Sequence, residues 1–183
     1  MEPPAIRRYR RPFLAPLWII LLVALLGAAL FVVAWRNATT TVVVLVHSVE
    51  KGLGTIDDPP LSAEGEARAQ RLAQILGSDA ARVDAIYVSD DRRARQTAAP
   101  LSERLHRDPV PFAATAARAT AARALRDHAG GTVVVVASDA ALPQMLQALR
   151  GEDLGRAAAA DGEVMYVVSV PSVGHPHELR LRY

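Results

Sequence analysis

The sequence predicts an α/β domain with a mostly parallel core sheet, preceded by one transmembrane helix. Three observations carry this. Phe13–Trp35 is a run of 23 residues without a charge. Beyond it, continuous apolar runs such as Val42–Val46 and Val133–Val136 have the character of strands buried on both faces. Stretches of helical period lie between these runs, so strands and helices alternate, the order of an α/β fold.

As a helix, Phe13–Trp35 would be about 34 Å long at roughly 1.5 Å per residue, enough to cross a hydrocarbon core with some tilt. Pro16 lies near its start, where proline is tolerated, and Trp18 and Trp35 sit near its ends, as interfacial aromatics do. A cleaved signal peptide is the rival reading. Its apolar core would be shorter, and Val32-Val33-Ala34 makes a poor cleavage site. Arg7, Arg8, Arg10 and Arg11 favour a cytoplasmic N-terminus, which puts the rest of the chain outside the cytoplasm, in the periplasm if the source is a Gram-negative bacterium. Ala24, Gly27 and Ala28 form a small-residue patch suited to helix packing. The organisation expected is a basic N-terminus over 1–12, a membrane helix over 13–35, a linker over 36–41 and a globular domain over 42–183.

Charge and composition narrow the function. The basic excess belongs to the N-terminus: from Asn37 onward there are sixteen basic against eighteen acidic residues. No basic stripe with interleaved aromatics is present, which argues against a nucleic-acid partner. Cysteine is absent, so disulfides, thiol nucleophiles and thiolate metal sites are excluded.

The globular part opens with a strand at about Thr41–His47, followed by the polar loop Glu50–Pro60. Ser62 is a suitable N-cap for a helix running to Gly77, whose apolar face is Leu61, Ala69, Leu72, Ala73 and Leu76. A second strand covers Val83–Asp90. A second helix covers Asp91–Leu105, with Pro100 interrupting or kinking it. Ala114–Gly130 is a third, alanine-rich helix, Thr132–Asp139 a third strand and Ala140–Leu149 a fourth helix. Glu163–Val170 and His177–Tyr183 are two last strands joined by the turn Pro171–Pro176.

Three segments, in order, resemble the histidine phosphatase superfamily, whose members share the phosphoglycerate mutase-like three-layer fold. Members open with a strand ending Leu-Val-Arg-His-Ala-Glu-Lys; here it reads Leu45-Val46-His47-Ser48-Val49-Glu50-Lys51. A block of the form Pro-Leu-Ser/Thr-x-x-Gly-x-x-x-Ala matches Pro60-Leu61-Ser62-Ala63-Glu64-Gly65 and Ala69. A strand ending in Ser, followed by Arg-Ala-x-Gln-Thr-Ala, matches Ser89 and Arg93–Ala98. The family's late strand ends Gly-His-Ser-Asn, with a proline soon after; here Ala137-Ser138-Asp139-Ala140 precedes Pro143.

The resemblance implies a pocket built for phosphoryl transfer, with a nucleophilic histidine, a second histidine and arginines on the phosphate oxygens. This chain departs from it. Ser48 stands at the nucleophile position, His47 at the neighbouring arginine and Ser138 at the second histidine. Arg93 is what remains of the charged set. The alanine-rich stretch over 113–129 offers no clear candidate for the family's usual acid/base residue. His47 is adjacent to Ser48, but neighbours on a strand point to opposite faces, so it does not take over the missing role.

The expectation is a membrane-anchored, catalytically degenerate histidine-phosphatase-like domain acting as a binding or scaffolding module, without cofactor or metal. Arg93, Ser48, Ser138 and Asp139 are its candidate ligand-binding residues. The partners expected are the bilayer, through Phe13–Trp35, and a protein or a small phosphorylated ligand. The alternatives are an active phosphomonoester hydrolase with an unconventional nucleophile and a structural component of an envelope complex. A Ser–His–Asp triad from Ser48 or Ser138, His47 and Asp139 has the residue types but lacks a Gly-x-Ser-x-Gly elbow. Arg92 and Arg95 read as a solvated helix face. Glu50 and Lys51 read as a surface pair, His175 and His177 as an exposed turn, and His106 and His128 as surface residues near helix ends.

Overall fold

The computed structural model describes residues 15–36, 39–48, 60–78, 82–150 and 164–182. The readings made for the basic segment 1–12, for Glu50 and Lys51 and for part of the linker lie outside the described residues. The chain divides into two compact units, Met1–Ala38 and Thr39–Tyr183.

In the first unit, α1 (Ala15–Arg36) is a single helix of 22 residues. Apolar side chains surround it rather than forming one stripe, and those at 17–33 are all exposed. Among the described residues, no helix is long and apolar enough to cross a membrane. The described side chains of α1 cover only 17–33, about 26 Å of helix against a hydrocarbon core of roughly 30 Å.

The second unit runs β1 (Thr40–His47), α2 (Ala63–Leu76), β2 (Val83–Ser89), α3 (Arg92–Leu105) and β3 (Val110–Phe112). It continues through a short 3-10 turn (Ala114–Ala116) into α4 (Ala117–Asp127), then β4 (Thr132–Ala137), α5 (Leu142–Arg150), β5 (Val164–Pro171) and β6 (His177–Arg182). The six strands form one sheet in the order β3-β2-β4-β1-β5-β6. The sheet is mixed. β1 to β4 pair in parallel, while β5 lies antiparallel to β1, and β6 antiparallel to β5.

Alternation along β1 builds the core. Val43 and Leu45 face one way and pack with Ala117, Ala121, Met145 and Leu146 of α4 and α5. Val44 and Val46 face the other way and pack with Leu72, Ala73, Ala98 and Leu101 of α2 and α3. Two helices therefore cover each face, giving the three layers that the resemblance implies. Both faces of β1 are covered, which is why its apolar run is unbroken.

The local rules of α2 explain one block of the resemblance. Ser62 Oγ accepts from the Gly65 N–H at 3.0 Å, closing the first turn. A Cβ at Gly65 would come within 2.8 Å of Leu61 Cγ, so the glycine lets the buried Leu61 fold over the helix start. Gly77 closes α2 at φ −84°, with its N–H on the Ala73 carbonyl. Pro100 lies inside a continuous α3 instead of interrupting it. β3 is a strand that pattern reading missed: three residues carry too short an alternation to register.

Candidate functional site

Parallel strands collect their C-terminal ends on one edge, and the loops there hold the candidate residues. His47, the last residue of β1, pairs with Ala137, the last of β4. The Ser48 N–H continues the ladder by one bond to the Ala137 carbonyl, 2.9 Å. Ser138 and Asp139 follow in the turn before α5, where the Ser138 carbonyl accepts from the N–H groups of Ala141 and Leu142. Arg93 comes from the first turn of α3, just beyond the end of β2.

Asp139 joins these elements. Its Oδ1 lies 2.5 Å from His47 Nε2, and its Oδ2 lies 3.9 Å from an Arg93 terminal nitrogen. A carboxylate accepts and does not donate, so His47 Nε2 carries the proton in this bond. The contact to Arg93 is an ion pair at long range, not a hydrogen bond. His47 and Arg93 expose 15% and 12% of their side chains, and Asp139 exposes 54%. The imidazole and guanidinium are thus largely enclosed, while the carboxylate that bridges them lies at the mouth.

Ser48 is completely buried, and among the described residues its Oγ has no hydrogen-bond partner. Arg93 Nε is likewise buried without a partner. Among the described residues, neither Ser48 nor Ser138 donates to His47. The imidazole is oriented by a carboxylate, but no hydroxyl is presented to it, so the triad is not assembled. All five residues come to one edge, yet among the described residues the set in direct side-chain interaction is His47, Asp139 and Arg93.

Sequence reading missed the residues that position Arg93. Asp91 Oδ1 accepts from the Ala94 N–H at 2.9 Å and caps α3, while the buried Ser89 donates its hydroxyl to Asp91 Oδ2. An Asp three residues ahead of Ala94 was the available signal. Gln96 Oε1 accepts from the Leu61 N–H at 2.8 Å, tying α3 to the segment that enters α2. This bond links the Pro-Leu-Ser block to the Arg-Ala-x-Gln-Thr-Ala block, which lie 35 residues apart at these two positions.

The other candidates lie away from this edge. Arg92 and Arg95 are exposed on α3, and His106, His175 and His177 are exposed. His128 is corrected: it is half-buried, with Nε2 3.4 Å from the Tyr87 hydroxyl and the rings meeting edge to face at 6.1 Å. Burial is the chief reason that the Tyr87 hydroxyl has its pKa raised above 10. Two open clefts, about 420 Å³ between α2 and α3 and about 550 Å³ beside Asp84, Arg107 and Gly130, contain none of the five site residues.

Residues 44–117 match the family model of the histidine phosphatase superfamily (branch 1). The strand order and the two helical layers agree with the resemblance to that superfamily, whose model covers this stretch of the chain. Solved structures agree on the fold. Mycobacterial glucosyl-3-phosphoglycerate phosphatase is 19% identical, with a TM-score of 0.55 over 72% of this chain and 90% of that one. A phosphohistidine phosphatase SixA from Agrobacterium tumefaciens is 24% identical, with a TM-score of 0.53 over 75% and 97%. The protein histidine phosphatase SixA, in a structure complexed with tungstate, is 14% identical, with a TM-score of 0.58 over 77% and 96%. No curated protein matches the chain in sequence.

Proposed function

We propose that this is a membrane-anchored, catalytically degenerate member of its superfamily, whose domain acts as a binding or scaffolding module. The observation that carries the reading is Ser48. At the position the resemblance gives to the nucleophile stands a hydroxyl that is fully enclosed and unpartnered. A serine in that state has neither a base to take its proton nor access to a phosphorus atom. The charge around it points the same way. Phosphoryl transfer needs positive charge held ready for the equatorial oxygens, and here the guanidinium of Arg93 faces the carboxylate of Asp139.

Membrane anchoring rests on α1. Its described side chains, 17–33, are apolar and exposed on every side, and a helix of that kind has no face suited to water. The arginines before it favour an N-terminus in the cytoplasm, with the domain then outside the inner membrane.

The test is phosphatase activity. The full chain in detergent, supplied with p-nitrophenyl phosphate, is expected to release product at the rate of protein-free buffer, with no change on Arg93→Ala. Turnover that Arg93→Ala abolishes refutes the degenerate reading and returns the chain to the phosphomonoester hydrolases.

A further inference from the structure

We infer that the Asp139 carboxylate is an internal plug, seated between His47 and Arg93 where a tetrahedral oxyanion would otherwise bind. The inference rests on the reading above and says what holds that pocket shut. Two groups able to donate to an anion converge on this carboxylate. His47 Nε2 is 2.5 Å from one oxygen, and Arg93 lies 3.9 Å from the other.

The fit is incomplete. A guanidinium has five donors in a fork made for two oxygens at once, and here it makes an ion pair without a hydrogen bond. Arg93 Nε, enclosed beside the carboxylate, is left without a partner among the described residues. Buried polar atoms without partners are rare because each costs the desolvation of a group that water would have satisfied. A carboxylate has two oxygens and is tethered to the turn before α5, so it does not serve every donor at this edge. A tetrahedral phosphate has four oxygens and no tether.

Asp139 is also the member of the site that can leave. More than half of its side chain faces solvent, and exposed ion pairs hold weakly. His47 and Arg93 are packed in and stay. The ligand class is therefore a phosphate group, free or as a monoester, that displaces or follows the withdrawal of this carboxylate.

The experiment compares the full chain in detergent with its Asp139→Ala and Asp139→Ala/Arg93→Ala variants. Inorganic phosphate and phenyl phosphate are titrated separately by calorimetry, and phenol release is followed in parallel. Removing a negative charge about 4 Å from a bound anion should tighten binding at least about tenfold. The expected result is that gain in Asp139→Ala and its loss in the double variant. A gain for phosphate alone assigns the site to the free ion; a gain for both assigns it to the phosphate group of an ester. A folded Asp139→Ala chain that binds no tighter than the parent overturns the plug, as does a gain that survives Arg93→Ala. Phenol release by Asp139→Ala, lost in the double variant, overturns the non-catalytic reading instead and leaves the plug standing.

Discussion

Gln96→Ala tests the link between the two sequence blocks on which the fold turns. The Gln96 side-chain oxygen takes the Leu61 N–H at 2.8 Å in a partly buried setting. Leu61 itself is buried, so its amide has little water to turn to. Truncation leaves a donor without an acceptor, which costs about 1–3 kcal/mol. Taking about 2 kcal/mol, the midpoint of thermal unfolding should fall by roughly 4–8 °C for a unit of this size. If Leu61 opens locally, hydrogen exchange at its amide should quicken by about 30-fold, since each factor of ten corresponds to about 1.4 kcal/mol. Gln96→Glu keeps the acceptor oxygen and should recover most of the loss. Calorimetry and amide exchange read the two effects separately. A change below about 0.5 kcal/mol in Gln96→Ala, the range of unremarkable surface substitutions, would refute the reasoning. So would a Glu variant as unstable as the Ala variant.

Three further outcomes are expected. Gly77→Ala should destabilise the second unit although φ −84° suits alanine, because the added Cβ meets the Arg104 side chain and the Ala73 carbonyl. Denaturant titration against Gly77→Ala/Arg104→Ala, which removes one of the two obstacles, separates crowding from backbone effects. Tyr87 has its pKa raised in the folded state by burial, so its contribution is complete below the unfolded value of about 10 and fades as pH rises through the folded value. Stability of the parent should therefore fall above about pH 10, and Tyr87→Phe should flatten that fall in urea titrations taken from pH 8 to 11. Leu25→Arg with Leu26→Arg should release the chain from a membrane pellet under alkaline carbonate, since each central arginine costs about 2.5–3.5 kcal/mol on the insertion scale. A parent chain that carbonate already extracts would sink the anchoring proposal.

Much of the fold was legible in the sequence because the residues that set it act locally or by simple period. Val43–Val46 declares a strand covered on both faces, Ser62 and Gly65 declare a helix start, and the order of elements declares an α/β sheet. The candidate site was legible as residue types: His47, Ser48, Arg93, Ser138 and Asp139 all reach the same edge. Their partnerships were not legible. Whether His47 meets Asp139 or a serine hydroxyl depends on side-chain direction across residues 92 positions apart. The burial of His128 against Tyr87 was hidden for the same reason, since a helix end reads as surface until another strand is known to lie beneath it.

Taken alone, the chain of residues determined the alternation of strands and helices and the helix caps, because these follow from side-chain chemistry and short-range spacing. Only the tertiary structure decided that the sheet is mixed, that Gln96 holds Leu61, that Ser48 is sealed away and that one carboxylate lies between a histidine and an arginine. Those facts are matters of distance between segments far apart in the chain, and distance across a fold is set by packing, not by any local pattern.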